Sequence, residues 1–136
     1  PVDADILLAG DTTLEPLGFA ARVLATPGHT AGSLTVLTAD GQACVGDLAV
    51  NLRPGGRGPF LPPFGDSRVQ IRESWARLRQ AGATVFRPAH GRPFPAQRLD
   101  RWLAAPSNPL NSPMGRVGPE TPIRKSGTEE SSATAA

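Results

Sequence analysis

The sequence predicts a protein of the mixed α/β (α+β) class, and three of its features support this prediction. Short apolar runs, each ended by Gly or Pro, are typical of strands. A stretch with helical periodicity at residues 67–82, followed by a shorter one at residues 96–104, indicates helices. Residues 106–136 are rich in Pro, Ser, Gly and Thr without a sustained apolar period. We therefore predict one domain over residues 1–105 and a disordered tail over residues 106–136.

The predicted strands of the first half are short and separated by turn residues. Four apolar or β-branched runs are strand candidates: residues 4–8, 12–14, 19–25 and 33–39. Pro27 and Gly28 end the third of these runs immediately before His29. Asp40-Gly41 is a two-residue hairpin signal, so residues 42–45 are predicted to pair with the strand before it.

The second half begins with an irregular loop and continues with helical and strand signals. Residues 51–65 are dense in Pro and Gly, which predicts a loop that crosses the surface. Ser67, with Gln70 three residues later, can cap a helix that Gly82 ends. A strand is predicted over residues 83–87, and a second helix over residues 96–104.

Charge and apolar content limit the partners that the chain can have. The net charge is +2, and the densest basic group is on the predicted helix: Arg68, Arg72, Arg77 and Arg79. This group could attract an anion, but no aromatic residues alternate with it to stack bases, so nucleic acid is not expected. No apolar run is long enough to cross a membrane. We expect a small-molecule substrate and a cytoplasmic location, although no targeting signal fixes the compartment.

The single cysteine, Cys44, excludes an internal disulfide bond and a thiolate metal cluster. It lies in a predicted strand between small and apolar residues. Free cysteine is among the residues most often buried. We therefore predict that Cys44 is a buried strand residue.

Two imidazoles and one carboxylate are the candidate functional groups of the chain. His29 and His90 are the only two histidines, and the carboxylate of Asp47 follows Gly46 between them. Each of the three comes directly after a predicted strand, so one edge of a sheet can bring them together. Two imidazoles and a carboxylate form a donor set for zinc, iron or manganese.

These residues lie in motifs that resemble those of the metallo-β-lactamase fold of metal-dependent hydrolases. Thr26-Pro27-Gly28-His29-Thr30 with Gly32-Ser33 is similar to the third metal motif of that family. Gly46-Asp47 is similar to the fourth motif, and Pro88-Ala89-His90-Gly91 to the fifth. Asp47 follows His29 by 18 residues and His90 follows Asp47 by 43, which also fits the family. The resemblance covers the C-terminal half of the αβ/βα sandwich.

The resemblance implies a role for each residue. His29 would bind the first of two divalent metal ions, Asp47 would bridge both, and His90 would bind the second. Zinc is the expected metal, with iron or manganese as alternatives. The family's upstream H-x-H-x-D-H motif does not occur in these 136 residues. Its aspartate would supply the extra acid or base, so no residue of this chain is named as catalytic.

The function implied is hydrolysis by a metal-bound hydroxide, which attacks an ester, thioester, lactone or phosphodiester. A thioesterase-like or lactonase-like hydrolase fits Asp47 better than the zinc β-lactamases that have a cysteine ligand there. With three ligands, we expect the isolated chain to be an inactive, poorly soluble fragment of such an enzyme.

Three alternatives remain. The chain could be a catalytically dead binding module of the same fold, with the arginine-bearing helix as its contact surface. It could also be a truncated gene product. A nucleophile triad of Ser33, His29 and Asp47 is disfavoured, because no G-x-S-x-G turn presents the serine.

Overall fold

A computed structural model describes residue 8, residues 10–52 and residues 58–104 of the chain. In this part, six strands form one sheet in the order β1 to β6. The strands are β1 Thr12–Thr13, β2 Ala21–Ala25, β3 Leu34–Thr38, β4 Gln42–Asn51, β5 Val85–Gly91 and β6 Phe94–Pro95. Strands β4 and β5 are parallel and all other neighbours are antiparallel. The long connection that parallel strands need contains the helix α1, Arg68–Gln80. The predicted α+β class is confirmed.

The helices begin and end where the sequence predicts. The hydroxyl of Ser67 accepts a hydrogen bond from the Gln70 backbone N–H at 3.3 Å, which caps the first turn of α1. Gly82, with φ +100°, follows the last turn and reverses the chain. The second predicted helix is a 3₁₀ turn, Ala96–Leu99, that continues as helix α2, Asp100–Ala104.

Helix α1 covers one face of the sheet and forms the core with it. The largest fully buried side chains include Trp75 from the helix with Phe86 and Phe94 from the sheet. The Trp75 indole N–H donates to the Leu48 carbonyl at 3.0 Å, so the one polar atom of this side chain is satisfied. Each such side chain contributes about 2–3 kcal/mol through burial. This packing fixes the strand that carries Asp47.

The opposite face of the sheet is more open, which corrects the prediction for Cys44. Along β3, Thr35 and Leu37 are buried, whereas Val36 is 36% exposed. Val36 pairs with Cys44 of β4, and paired residues point to the same face. Cys44 is therefore exposed. Its apolar neighbourhood in the sequence did not reveal which face the helix covers.

Strands β4 and β5 are both longer than the sequence predicts. Strand β4 continues through Gly46 to Asn51, and β5 continues through Pro88 to Gly91. The ladder between them shifts register on either side of the Gly46–Pro88 pair. Gly46 has φ +56° and Pro88 has no N–H, so the regular ladder is interrupted without ending. The expectation that both strands stop before the site was wrong.

Several predictions lie outside the described residues. These are most of the predicted strand at residues 4–8, the tail at residues 106–136, and residues 53–57 of the predicted loop. The described part of that loop contains one bridge, in which Phe60 pairs with Val50. Within the described residues, no helix has the length and apolar character required to span a bilayer.

Candidate metal centre

His29 lies in a loop that is held against the start of α1. The loop begins after β2, where the Thr26 N–H donates to the Ser33 carbonyl at 2.9 Å. Gly28 has φ +135°, and a Cβ there would lie 2.4 Å from the backbone nitrogen of Ile71. The Ser67 N–H also donates to the Gly28 carbonyl at 2.9 Å. A glycine is therefore required for this close approach of loop and helix.

The imidazole of His29 is oriented by the backbone of the following loop. Its Nδ1 lies 3.0 Å from the carbonyl oxygen of Phe64. A carbonyl oxygen can only accept a hydrogen bond, so Nδ1 carries the proton. In the neutral ring, Nε2 then keeps its lone pair. The Asp66 N–H donates to the His29 carbonyl at 3.1 Å and holds the two loops together.

Asp47 and His90 come from the irregular part of the β4–β5 pair. The Nε2 atom of His29 lies 3.8 Å from Asp47 Oδ2, and the Nε2 atom of His90 lies 3.3 Å from Asp47 Oδ1. The structure thus brings the three predicted site residues together around one carboxylate. Asp47 and His90 lie next to each other because the ladder is irregular at Gly46 and Pro88. They do not lie at the ends of two strands, as the sequence predicted.

One oxygen of Asp47 lacks a hydrogen-bond partner. Oδ1 is buried and makes no hydrogen bond among the described contacts, since the approach of His90 Nε2 does not have hydrogen-bond geometry. A buried carboxylate oxygen without a partner is costly and calls for a ligand, an ion or a water. Two donors on one tetrahedral metal ion are about 3.4 Å apart. The 3.3 Å separation from His90 matches that spacing.

The side chains of His29, Asp47 and His90 are possible metal donors, but they do not form a complete coordination sphere. Across residues 10–52 and 58–104, no group of three or more His, Cys, Asp and Glu is arranged to hold a metal ion as it stands. Each imidazole approaches a different oxygen of Asp47. The donor types, the free Nε2 of His29 and the unpartnered Oδ1 nevertheless fit a divalent metal ion.

A cavity of about 310 Å³ opens next to these donors. His29, Asp47 and His90 line one side of it. The rest of its described lining is apolar and consists of Val50, Leu52, Pro62, Pro63 and Phe64. Of the two aromatic residues in the loop before α1, Phe64 lines the cavity and Phe60 does not.

Other groups that the sequence indicated serve structural roles. The Ser33 hydroxyl bonds to the Thr30 hydroxyl at 2.9 Å and accepts from the Thr30 N–H at 3.1 Å. It therefore closes the His29 loop. On α1, Arg77 donates to Asp11, and Arg79 pairs with Asp100. These two guanidinium groups already have carboxylate partners, which reduces their ability to attract an anionic ligand.

Comparison with solved structures identifies the fold. The chain is similar to a metallo-beta-lactamase family protein from Thermus thermophilus, with 26% identity and a TM-score of 0.55 over 76% of this chain and 36% of that one. It is also similar to an archaeal metallo-beta-lactamase superfamily protein from Sulfolobus tokodaii, with 24% identity and a TM-score of 0.54 over 72% and 38% of the two chains.

A third match is a metallo-beta-lactamase from Pontibacter korlensis, with 25% identity and a TM-score of 0.51 over 73% of this chain and 46% of that one. The chain thus spans less than half the length of these structures. No family model matches the chain, and no curated protein does.

Proposed function

We propose that this chain, which forms part of the metallo-β-lactamase fold, contributes three metal ligands to the active site of a metal-dependent hydrolase. The ligands are His29, Asp47 and His90. The observation that carries the proposal is the Asp47 carboxylate, which both imidazole Nε2 atoms approach while its buried Oδ1 has no hydrogen-bond partner. A metal ion would satisfy that oxygen.

The protein's own groups prepare these donors for a metal. The Phe64 carbonyl holds the proton of His29 on Nδ1, which directs the lone pair of Nε2 towards Asp47. The Trp75–Leu48 hydrogen bond anchors the strand next to Asp47 from the core side. A divalent metal bound here would supply hydroxide at neutral pH and polarise the bond under attack. Zinc is the proposed metal, and the same donors accept iron or manganese.

The reaction class follows from that chemistry. A metal held by His29, Asp47 and His90 would supply the hydroxide chemistry that suits acyl and phosphoryl centres, so esters, thioesters, lactones and phosphodiesters are the candidate substrates. The substrate would occupy the cavity that the three donors border.

Metal binding is the first test. Zinc is titrated into the 136-residue chain in competition with a chromophoric chelator, and the variants His29→Ala, Asp47→Ala and His90→Ala are compared with Glu73→Ala, which removes an exposed carboxylate of α1 outside the cavity. We expect each of the first three to weaken zinc binding at least about tenfold, and Glu73→Ala to leave it within about twofold. Equal zinc affinity in all five proteins would show that the three residues are not ligands.

Turnover is the second test. The longest form of the polypeptide that the gene encodes is loaded with zinc and assayed with a thioester, an ester, a lactone and a phosphodiester. We expect hydrolysis of at least one of them that chelation abolishes and His29→Ala reduces at least about a hundredfold. A metal-loaded protein that hydrolyses none of the four would instead be the non-catalytic binding module considered above.

A further inference from the structure

The two most exposed large apolar side chains of the described residues border the same cavity. Phe64 is 80% exposed and Leu52 is 65% exposed, more than any other large hydrophobic residue of that part. Both line the cavity that His29, Asp47 and His90 border. Scattered exposed apolar residues need no explanation. A cluster of them beside polar groups is typical of a cavity that binds the apolar part of a ligand.

The remaining apolar lining extends this surface towards the donors. Val50 is half-buried and belongs to the same strand as Asp47, which brings an apolar side chain close to the carboxylate. Pro62 and Pro63 complete the wall that Phe64 continues. The cavity volume of about 310 Å³ is at the lower end for small-molecule sites. One polar side and one apolar side suit a ligand with a reactive polar group and a short apolar chain.

We propose that Leu52 and Phe64 form an acyl-chain subsite, which makes the substrate an ester, thioester or lactone with an aliphatic acyl group. This inference rests on the function proposed above and selects among its substrates. In the reaction, the oxygen of water bonds to the acyl carbon and the bond from that carbon to the alcohol or thiol group breaks. The leaving alkoxide or thiolate takes up a proton from the same water. The carbonyl group lies towards His29 and Asp47, and the chain lies on Phe64.

A phosphodiester fits this surface less well. Its phosphoryl group remains charged, and moving a charge against an apolar wall costs free energy unless it is paired. An aliphatic chain gains free energy in the same place, about 0.8 kcal/mol for each methylene that is fully buried. Phe64 and Leu52 themselves also lose exposed surface when such a chain covers them. The subsite therefore discriminates by the length of the acyl chain.

Phe64 has two separable roles in this arrangement. Its backbone carbonyl orients His29, and its ring lines the cavity. A substitution of the side chain removes the ring but keeps the carbonyl. Ligand binding and metal binding can therefore be tested separately at this position. Phe19 offers a matched control, because it is 62% exposed and does not line the cavity.

The experiment measures binding of uncharged, non-hydrolysable carbonyl compounds to the 136-residue chain. Methyl ketones with propyl, pentyl and heptyl chains are titrated by NMR, with and without zinc, and zinc affinity is measured in the same samples. We expect affinity to rise about two- to fourfold for each added methylene, since the cavity is open on one side. The shifted resonances should include those of Leu52 and Phe64.

Substitutions then locate the subsite. Phe64→Ala is expected to lower the affinity for the heptyl ketone about tenfold and to remove most of the dependence of affinity on chain length. Phe64→Leu keeps an apolar side chain and serves as the control for a folding defect. This variant should retain part of the dependence of affinity on chain length. Phe19→Ala should bind all three ketones as the unsubstituted chain does. Affinities that are independent of chain length, or equal losses in Phe64→Ala and Phe19→Ala, would overturn the subsite.

The two proposals fail in different ways. Zinc binding without any dependence on chain length would leave the metal site in place and refute the acyl-chain subsite. Dependence on chain length in a chain that binds no zinc would support the apolar subsite and refute the hydrolase ligand set.

Discussion

The carbonyl oxygen of Phe64 lies 3.0 Å from Nδ1 of His29, so a loop 35 residues further along the chain decides which nitrogen of this histidine faces Asp47. Metal-binding histidines commonly donate their second N–H to a carbonyl group, and loss of such a partner lowers metal affinity about 10- to 100-fold. The residues packed around this contact, and the core beneath it, can each be tested by substitution.

Gly65→Ala should weaken zinc binding about tenfold and also cost about 1–3 kcal/mol of stability, because residue 65 has φ +155°. A Cβ at residue 65 would lie 3.2 Å from the Gly28 carbonyl oxygen and 3.2 Å from the Cα of His29. Either the histidine or the Phe64 carbonyl must then shift by a few tenths of an ångström. The matched control is Gly32→Ala, which meets no atom within 4 Å. Zinc competition titrations compare the two variants, and equal affinities would contradict the prediction.

Asp47→Asn should have opposite effects on metal binding and on stability. The substitution removes the charge that would bind a cation, so zinc affinity should fall at least about tenfold. It also removes the charge from a carboxylate whose buried Oδ1 has no hydrogen-bond partner, which should leave the metal-free protein as stable or up to about 1 kcal/mol more stable. Thermal unfolding in the presence of a chelator measures the second effect. A metal-free variant less stable than the unsubstituted chain would show that Asp47 has a structural role.

Gly28→Ala should destabilise the fold by about 2–4 kcal/mol. The added Cβ would meet the Ile71 backbone nitrogen at 2.4 Å, and the residue has φ +135°. The contact is with backbone at the first turns of α1, so a side chain cannot relieve it by turning away. Urea unfolding monitored by tryptophan fluorescence gives the free energy. The Gly32→Ala variant is again the control, because it changes the same loop where space is open.

Trp75→Phe should cost about 2–4 kcal/mol of unfolding free energy. The smaller ring leaves a cavity in the core and removes the donor that satisfies the Leu48 carbonyl. Trp102→Phe is the control, since its indole also donates to a carbonyl, that of Pro59 at 2.9 Å, but the side chain is only partly buried. It should cost less than half as much. A larger loss in the Trp102 variant would place the main core elsewhere.

Local features could be predicted from the sequence because their causes lie within a few residues. The cap of α1 at Ser67 and the hairpin at Asp40-Gly41 need only short-range hydrogen bonds and turn conformations. The same holds for His29, which Pro27 and Gly28 place after β2. The candidate ligands His29, Asp47 and His90 were recognisable from their types and order. Their role as metal ligands stays a prediction.

What required the tertiary structure depends on contacts between distant segments. Whether Cys44 is buried depends on which face of the sheet α1 covers, and alternation along a strand is the same for both faces. Strands β4 and β5 could continue past Gly46 and Pro88 because each supports the other through an interrupted ladder.

The cavity likewise has one side that the sequence predicts and one side that only the tertiary structure shows. Its donors were identifiable from the sequence, but its apolar wall combines Leu52 with Phe64, which no local pattern connects. From the sequence alone, one can tell which groups are available for chemistry and roughly where the helices and strands begin. Packing and parallel pairing between distant segments decided how those groups face each other.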